Sequence, residues 1–103
     1  MGLKFEERSG VLVIEIDDKL DFLNAKEIYD KIEEKLKNCD TDVVFNFENL
    51  DYISSAGLQI LIFTAKNRKT LGKGVSVYKP NSMVDSVINV AGFYSFLKKA
   101  EEI

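Results

Sequence analysis

The predicted fold is decided by one stretch of sequence, Val43-Val44-Phe45-Asn46-Phe47 followed shortly by Ile53-Ser54-Ser55-Ala56-Gly57-Leu58. The first part is a short apolar run, which predicts a buried strand, and the second part predicts the start of a helix. Two adjacent hydroxyls, those of Ser54 and Ser55, therefore lie in the first turn of that helix. Free backbone N–H groups and the positive end of the helix dipole favour negative charge at such a place. A serine here is a candidate for carrying a phosphate.

A purely structural role explains only part of this segment. An N-cap accounts for one serine, because its hydroxyl accepts a hydrogen bond from a free N–H of the first turn. It does not account for the small, open run Ser-Ser-Ala-Gly, in which Gly57 lowers the helix propensity. Small side chains also let the backbone of another protein approach closely, and this favours a surface that binds a partner.

The residues before this stretch predict a hairpin and a helix. Leu3 and Phe5 alternate with charged residues in an edge-type strand, Ser9-Gly10 predicts a tight turn, and residues 11–16 predict a more buried strand. Residues 17–23 are expected to form a loop. Asn24 then caps a helix, and Glu27 three residues later completes a capping-box pattern. The apolar residues at helical spacing in this helix are Ala25, Ile28, Tyr29, Ile32 and Leu36.

After the serines, the second helix is expected to run to about Thr70. Its predicted apolar face consists of Leu58, Leu61, Ile62 and Ala65. Residues 75–78 predict a strand, Pro80-Asn81-Ser82 the start of a third helix that ends at Gly92, and residues 95–98 a short last strand. The order β-β-α-β-α-β-α-β predicts an α/β fold: an opening hairpin, then parallel crossovers, in a mixed sheet with helices packed on it.

Composition limits the function classes. A chain of 103 residues with a net charge of -3 predicts one domain, residues 1–103, and lacks the basic patch of a nucleic-acid-binding protein. No stretch approaches the ~18 apolar residues of a membrane span, so we expect a cytoplasmic protein without membrane insertion. Cys39 is the only cysteine, which excludes an intramolecular disulfide and a cysteine-cluster metal site. We expect no cofactor and no metal.

Enzyme classes find little support. The chain has no His, so a Ser–His–acid triad is impossible, and no Gly lies two residues before Ser55 to form a nucleophile elbow. A Walker A motif and a Gly-rich dinucleotide loop are also absent from the sequence. We therefore predict no catalytic residue.

The acidic loop Asp17-Asp18-Lys19-Leu20-Asp21 is a second candidate site. It lacks the spacing and the glycine of a calcium loop, and a solvated loop is the favoured interpretation. A receiver domain also carries paired acids after a strand, with Asp51 then as the acceptor. The opening hairpin argues against this alternative, because a receiver alternates strand and helix from its first strand.

The run Leu50-Asp51-Tyr52-Ile53-Ser54-Ser55-Ala56-Gly57-Leu58-Gln59-Ile60-Leu61 resembles the signature of the STAS domain, as found in anti-sigma-factor antagonists. Residues 13–28, 72–77 and 87–93 resemble other parts of the family pattern in the same order. The position that the partner kinase phosphorylates in the family matches Ser55. Ser54 stands where the family usually carries an Asp, which leaves Ser54 as the alternative acceptor.

The resemblance implies an anti-sigma-factor antagonist. The unmodified protein is expected to bind an anti-sigma factor, itself a serine kinase, and so to free the sigma factor. Phosphorylation of Ser55 ends this binding, and a phosphatase restores it. The implied partner-binding residues are Asp21, Phe22, Ser54, Ser55, Ala56, Gly57 and Leu58.

A second function stays open. The same domain could serve as an accessory STAS subunit of a membrane transport system or signalling assembly, without phosphorylation. The missing Asp before Ser55 gives this alternative some weight.

Overall fold

The computed structural model describes residues 2–103. Within them the chain forms seven strands, three α-helices and one 3-10 turn at Phe93–Ser95. The strands are β1 (Leu3–Arg8), β2 (Val11–Ile16), β3 (Asp18–Leu20), β4 (Asp42–Asn46), β5 (Leu50–Ile53), β6 (Val75–Tyr78) and β7 (Lys98–Ala100). The helices are α1 (Ala25–Lys37), α2 (Ser55–Lys69) and α3 (Ser82–Val90).

Five strands form the main sheet in the order β1-β2-β4-β6-β7. β1 and β2 pair antiparallel through a hairpin whose turn residues, Ser9 and Gly10, have φ values of 55° and 76°. The other neighbours in this sheet pair parallel. The predicted α/β fold, with an opening hairpin and parallel crossovers, is therefore confirmed.

The helices pack on one face of this sheet. Side chains alternate along a strand, so Leu12, Ile14 and Ile16 of β2 share a face, and all three are buried. They belong to the same apolar cluster as the buried residues of the helices. In α1 these residues are Ala25, Ile28, Ile32 and Leu36, four of the five apolar residues predicted from the spacing.

The prediction missed a second, two-stranded sheet. β3 lies within the stretch expected to be a loop, and β5 lies between the buried strand and the serines. The two pair parallel, with Leu20 opposite Ile53. Leu20, Leu50 and Ile53 are all buried. Burial of these apolar side chains and the backbone hydrogen bonds between the strands stabilise the sheet, although both strands are short.

The predicted apolar face of α2 is confirmed only in part: Leu61 is buried, and Leu58 and Ala65 pack against the core, but the buried stripe as a whole is different. The residues that α2 buries are Gly57, Ile60, Leu61, Thr64 and Arg68. Leu58, Ile62 and Ala65 are only partly buried. The prediction failed because two members of the buried stripe are polar, and a search for apolar periodicity passes over them.

The last strand also differs from the prediction. Gly92 ends α3 with φ 78°, and the chain then turns through Phe93–Ser95. The N–H groups of Phe96 and Leu97 both bond to the Phe93 carbonyl, which keeps this segment out of the sheet. The strand is therefore Lys98–Ala100, and not residues 95–98.

None of the helices among residues 2–103 is long and apolar enough to cross a membrane.

Candidate functional site

The two serines at the start of α2 have different surroundings. Ser54 is the N-cap, with extended backbone, and its Oγ accepts a bond from the Gly57 N–H at 3.4 Å. Ser55 is the first residue of the helix and is exposed. Its hydroxyl takes part in no side-chain hydrogen bond within residues 2–103. The cap therefore occupies one hydroxyl and leaves the other facing solvent.

The start of α2 is fastened to the small β3–β5 sheet. The Ser54 N–H donates to the Leu20 carbonyl at 2.9 Å, and the Leu58 N–H donates to the Ser54 carbonyl at 3.0 Å. The first turn of α2 contains no acidic residue. The positive end of the helix dipole is thus without a compensating side chain in this turn, which favours an added negative charge.

Gly57 packs closely against the small β3–β5 sheet. It is buried, and a Cβ placed on it would lie 2.7 Å from Ile53 Cγ1, 2.8 Å from Leu20 Cγ and 2.9 Å from the Leu20 carbonyl oxygen. Such distances require the neighbours to move. Gly57 is therefore needed for the close packing of α2 on β3, and its part in partner binding stays a prediction. Ala56 and Leu58 are partly buried.

The loop after β3 lies beside the serines. Because β3 and β5 are parallel and pair Leu20 with Ile53, the segments that follow the two strands leave the small sheet at the same end. Asp21 and Phe22 follow one strand, and Ser54 and Ser55 follow the other. The structure thus brings together the two segments that the sequence named as candidates.

The predicted capping box at the start of α1 was wrong. Asn24 has backbone angles of -115° and -4° and makes no side-chain cap bond to the helix. Its Oδ1 instead accepts from the Asp21 N–H at 3.0 Å, and its Nδ2 donates to the Lys19 carbonyl at 2.7 Å. The Asp21 carbonyl accepts from the Ala25 N–H at 2.8 Å. Asn24 therefore shapes the loop, which a spacing rule along one helix does not detect.

The same loop exposes two large apolar side chains. Phe22 is 78% exposed and Leu23 is 81% exposed. The loop itself is ordered by Asp21, whose Oδ1 accepts from the Leu23 N–H at 3.0 Å. Tyr52 of β5, which the sequence did not single out, is 43% exposed on the adjoining strand. An ordered loop that presents apolar groups beside a free hydroxyl is suited to contact another protein.

The acidic residues do not assemble into a cation site. Among residues 2–103 no group of three or more His, Cys, Asp or Glu side chains is placed to hold a metal ion.

Comparisons with known proteins agree with this architecture. The family model of the STAS domain matches residues 3–102. BtrV of Bordetella bronchiseptica, which is described provisionally as an anti-sigma factor antagonist, is 25% identical over 100 residues, covering 97% of this chain and 86% of that protein.

Solved structures share the fold. The anti-sigma factor antagonist SpoIIAA in its unphosphorylated form has a TM-score of 0.83 at 19% identity, covering 98% of this chain and 90% of that one. The phosphorylated form of SpoIIAA, from Bacillus, has a TM-score of 0.76 at 19% identity, with coverage of 98% and 93%. A protein of Thermotoga maritima described provisionally as an anti-sigma factor antagonist has a TM-score of 0.89 at 16% identity, with coverage of 98% and 87%.

Proposed function

Because the chain belongs to the STAS domain family, we propose that it is a cytoplasmic anti-sigma-factor antagonist controlled by phosphorylation of Ser55. The unmodified protein binds an anti-sigma factor that is also a serine kinase, and the sigma factor is released. The kinase then transfers the γ-phosphoryl group of ATP to the Ser55 hydroxyl and the complex dissociates. A phosphatase removes the phosphate and restores binding. The relatives described as anti-sigma factor antagonists support this proposal.

The observation that carries the proposal is that the two serine hydroxyls have different surroundings. The Ser54 hydroxyl caps α2 by accepting the Gly57 N–H. Ser55 is exposed at a helix start that has no acidic residue in its first turn. A kinase can reach the Ser55 hydroxyl without opening the helix. Phosphorylation of Ser54 would require the cap bond to break.

A phosphate on Ser55 is expected to act on the contact and not on the fold. It adds about -1.5 to -2 charges, and at a helix N-terminus negative charge is mildly stabilising. The same group is bulky and hydrated, and it stands beside the exposed Phe22 and Leu23. A partner that buries these apolar side chains would have to bury the phosphate as well, which is strongly unfavourable.

The proposed contact surface consists of Asp21, Phe22, Ser54, Ser55, Ala56, Gly57 and Leu58, in which Gly57 keeps the start of α2 close to β3. Phe22 supplies an exposed apolar anchor, of the kind that dominates the energy of many interfaces. Asp21 acts through the loop geometry, since its carboxylate accepts the Leu23 N–H.

The test is a phosphosite assay with the anti-sigma factor kinases of the same organism. Wild type, Ser54→Ala and Ser55→Ala are each incubated with kinase and ATP, and the modified residue is mapped by mass spectrometry. We expect phosphate on Ser55 in wild type and in Ser54→Ala, and none in Ser55→Ala. Phosphate on Ser54 in the wild type would contradict the assignment of the acceptor.

The accessory-subunit alternative is separated by the same assay. It uses the same surface without phosphorylation, and the hydroxyl of Ser54 in place of the family's usual acid is the feature that favours it. A protein that no kinase modifies, but that co-purifies with a membrane transport or signalling assembly, would support this function instead.

A further inference from the structure

We propose that a groove beside the C-terminal half of α2 binds a small amphipathic anion, meaning an apolar body that carries a carboxylate or phosphate group. The groove has a volume of about 500 Å³ and is here called the lysine groove. Its lining residues are Ile62, Ala65, Lys66, Lys69, Lys73, Gly74, Val75 and Phe96.

The floor of the lysine groove is apolar. Ile62 and Ala65 come from α2, and Val75 comes from the start of β6. The wall on the other side is Phe96, which is 46% exposed although its ring lies 5.1 Å from that of Phe93. A recessed apolar floor gives an apolar body surface to bury, and this is the common composition of small-molecule sites.

The rim of the lysine groove is positively charged. Lys66, Lys69 and Lys73 are all exposed, and none of them forms an ion pair with a carboxylate among residues 2–103. In the described part of the chain, other surfaces carry both paired lysines, such as Lys26 and Lys79, and unpaired ones, such as Lys4. The groove differs in having three such unpaired lysines around one apolar site.

The helix dipole explains only part of this cluster. Cations near a helix C-terminus are favourable, and this accounts for Lys66 and Lys69 in the last turn of α2. Lys73 lies beyond the helix, in the connection to β6. Three cations around an apolar floor, on a chain whose net charge is -3, are complementary to a ligand that is apolar and anionic.

Size favours a small soluble ligand over a membrane or a protein. Sites for small molecules have volumes of about 300–1,000 Å³, and the lysine groove lies within that range. Because Phe96 is itself exposed beside the lysines, a titration with anionic phospholipid vesicles is the test that separates a membrane surface from a small ligand.

The lysine groove is separate from the phosphorylation switch. Ser55 and Lys66 lie at opposite ends of α2, about 16 Å apart along the helix at 1.5 Å per residue. A ligand can therefore occupy the groove while a partner is bound at the Ser55 end, and the two proposals can fail independently.

The probe is decanoate, added below its micelle-forming concentration to the full chain at low ionic strength. Amide resonances are followed by NMR, together with a second titration using nonyl maltoside, which has the same nine-carbon alkyl chain and no charge. We expect saturable shifts in residues 62–75 and at Phe96, weakened by added salt. The uncharged probe should bind at least about tenfold more weakly, because it gains nothing from the lysines.

Two variants make the test specific. Lys66→Gln/Lys69→Gln/Lys73→Gln removes the rim and should weaken decanoate binding by about tenfold, and Ala65→Trp should abolish it by filling the floor. Lys4→Gln/Lys31→Gln/Lys79→Gln makes the same charge change on exposed residues that do not line the groove and should leave binding unchanged. Shifts without saturation, equal weakening in both triple variants, or binding only to anionic phospholipid vesicles would overturn the proposal.

Discussion

The two ends of α2 are fixed in opposite ways. At its N-terminal end, one backbone bond from Ser54 to the Leu20 carbonyl and the close approach of Gly57 hold the helix, and the Ser55 side chain is left in solvent. At its C-terminal end, the Arg68 side chain is only 1% exposed and is enclosed by other residues. One end presents an exposed hydroxyl, and the other anchors the helix.

The anchor at Arg68 is a buried cation without a carboxylate partner among residues 2–103. Its Nη1 donates to the Thr41 carbonyl at 2.9 Å and its Nη2 to the Leu36 carbonyl at 3.2 Å. Its Nε and Nη2 also donate to Asn67 Oδ1. The Leu36 carbonyl belongs to the last turn of α1, the negative end of that helix dipole, which offsets part of the cost of burying the charge.

This difference between the two ends explains why a modification of Ser55 can leave the rest of the fold unchanged. Phosphorylation of Ser55 changes a hydroxyl that already faces solvent. The contacts that hold this end of α2 are made by the Ser54 backbone and by Gly57, and not by the Ser55 side chain. A change of the buried Arg68 at the C-terminal end instead disturbs the packing of the core.

The largest effect is expected from Arg68→Ala. It leaves a cavity and removes the Arg68 donor from the carbonyls of Thr41 and Leu36, of which Leu36 keeps a bond from the Cys39 N–H at 3.3 Å. We expect a loss of about 3–5 kcal/mol in the free energy of unfolding, measured by urea denaturation. Lys69→Ala, an exposed neighbour on the same turn, should change it by less than about 0.5 kcal/mol. Similar stabilities for the two variants would mean that Arg68 is not the anchor.

A smaller effect is expected at the close approach of α2 to β3. Overpacking costs about 1–3 kcal/mol, and the better helix propensity of Ala returns up to about 1 kcal/mol. Gly57→Ala should therefore lower the free energy of unfolding by about 1–2 kcal/mol. Gly74→Ala is the matched control, since a Cβ there would meet nothing within 4 Å. If Gly57→Ala were as stable as the control, the tight contact with Leu20 would be refuted.

The smallest stability effects should separate the two serines. Ser54→Ala removes the cap and should cost about 0.5–1 kcal/mol, at the lower end for a cap because the bond is long at 3.4 Å. Ser55→Ala should stay within about 0.5 kcal/mol, because its hydroxyl is exposed. Thermal unfolding monitored by circular dichroism compares both with wild type. A larger loss for Ser55→Ala than for Ser54→Ala would reverse the assignment of cap and acceptor.

Local signals were sufficient for much of the fold. The Ser9-Gly10 turn, the strand at β4 and the capping of α3 by Asn81 were predictable, because each depends on residues close together in sequence. The position of the serines at a helix start was predictable for the same reason.

Contacts between distant residues were not predictable. The β3–β5 sheet joins residues about thirty positions apart, and each strand is too short to show a period. The packing role of Gly57 depends on Leu20. The burial of Arg68 depends on one carbonyl of α1 and one of the connection between α1 and β4. In each case the decisive neighbour is absent from the local sequence.

The central claim is that negative charge on Ser55 breaks a contact and leaves the fold intact. The most direct measurement is calorimetric titration of Ser55→Asp with the kinase that phosphorylates the wild type, alongside its thermal midpoint. Ser54→Asp is the control, since it adds the same charge at the cap, where Asp is also a favoured residue. We predict that Ser55→Asp keeps its midpoint within a few degrees and loses binding, whereas Ser54→Asp still binds. Wild-type affinity in a folded Ser55→Asp variant would contradict the account.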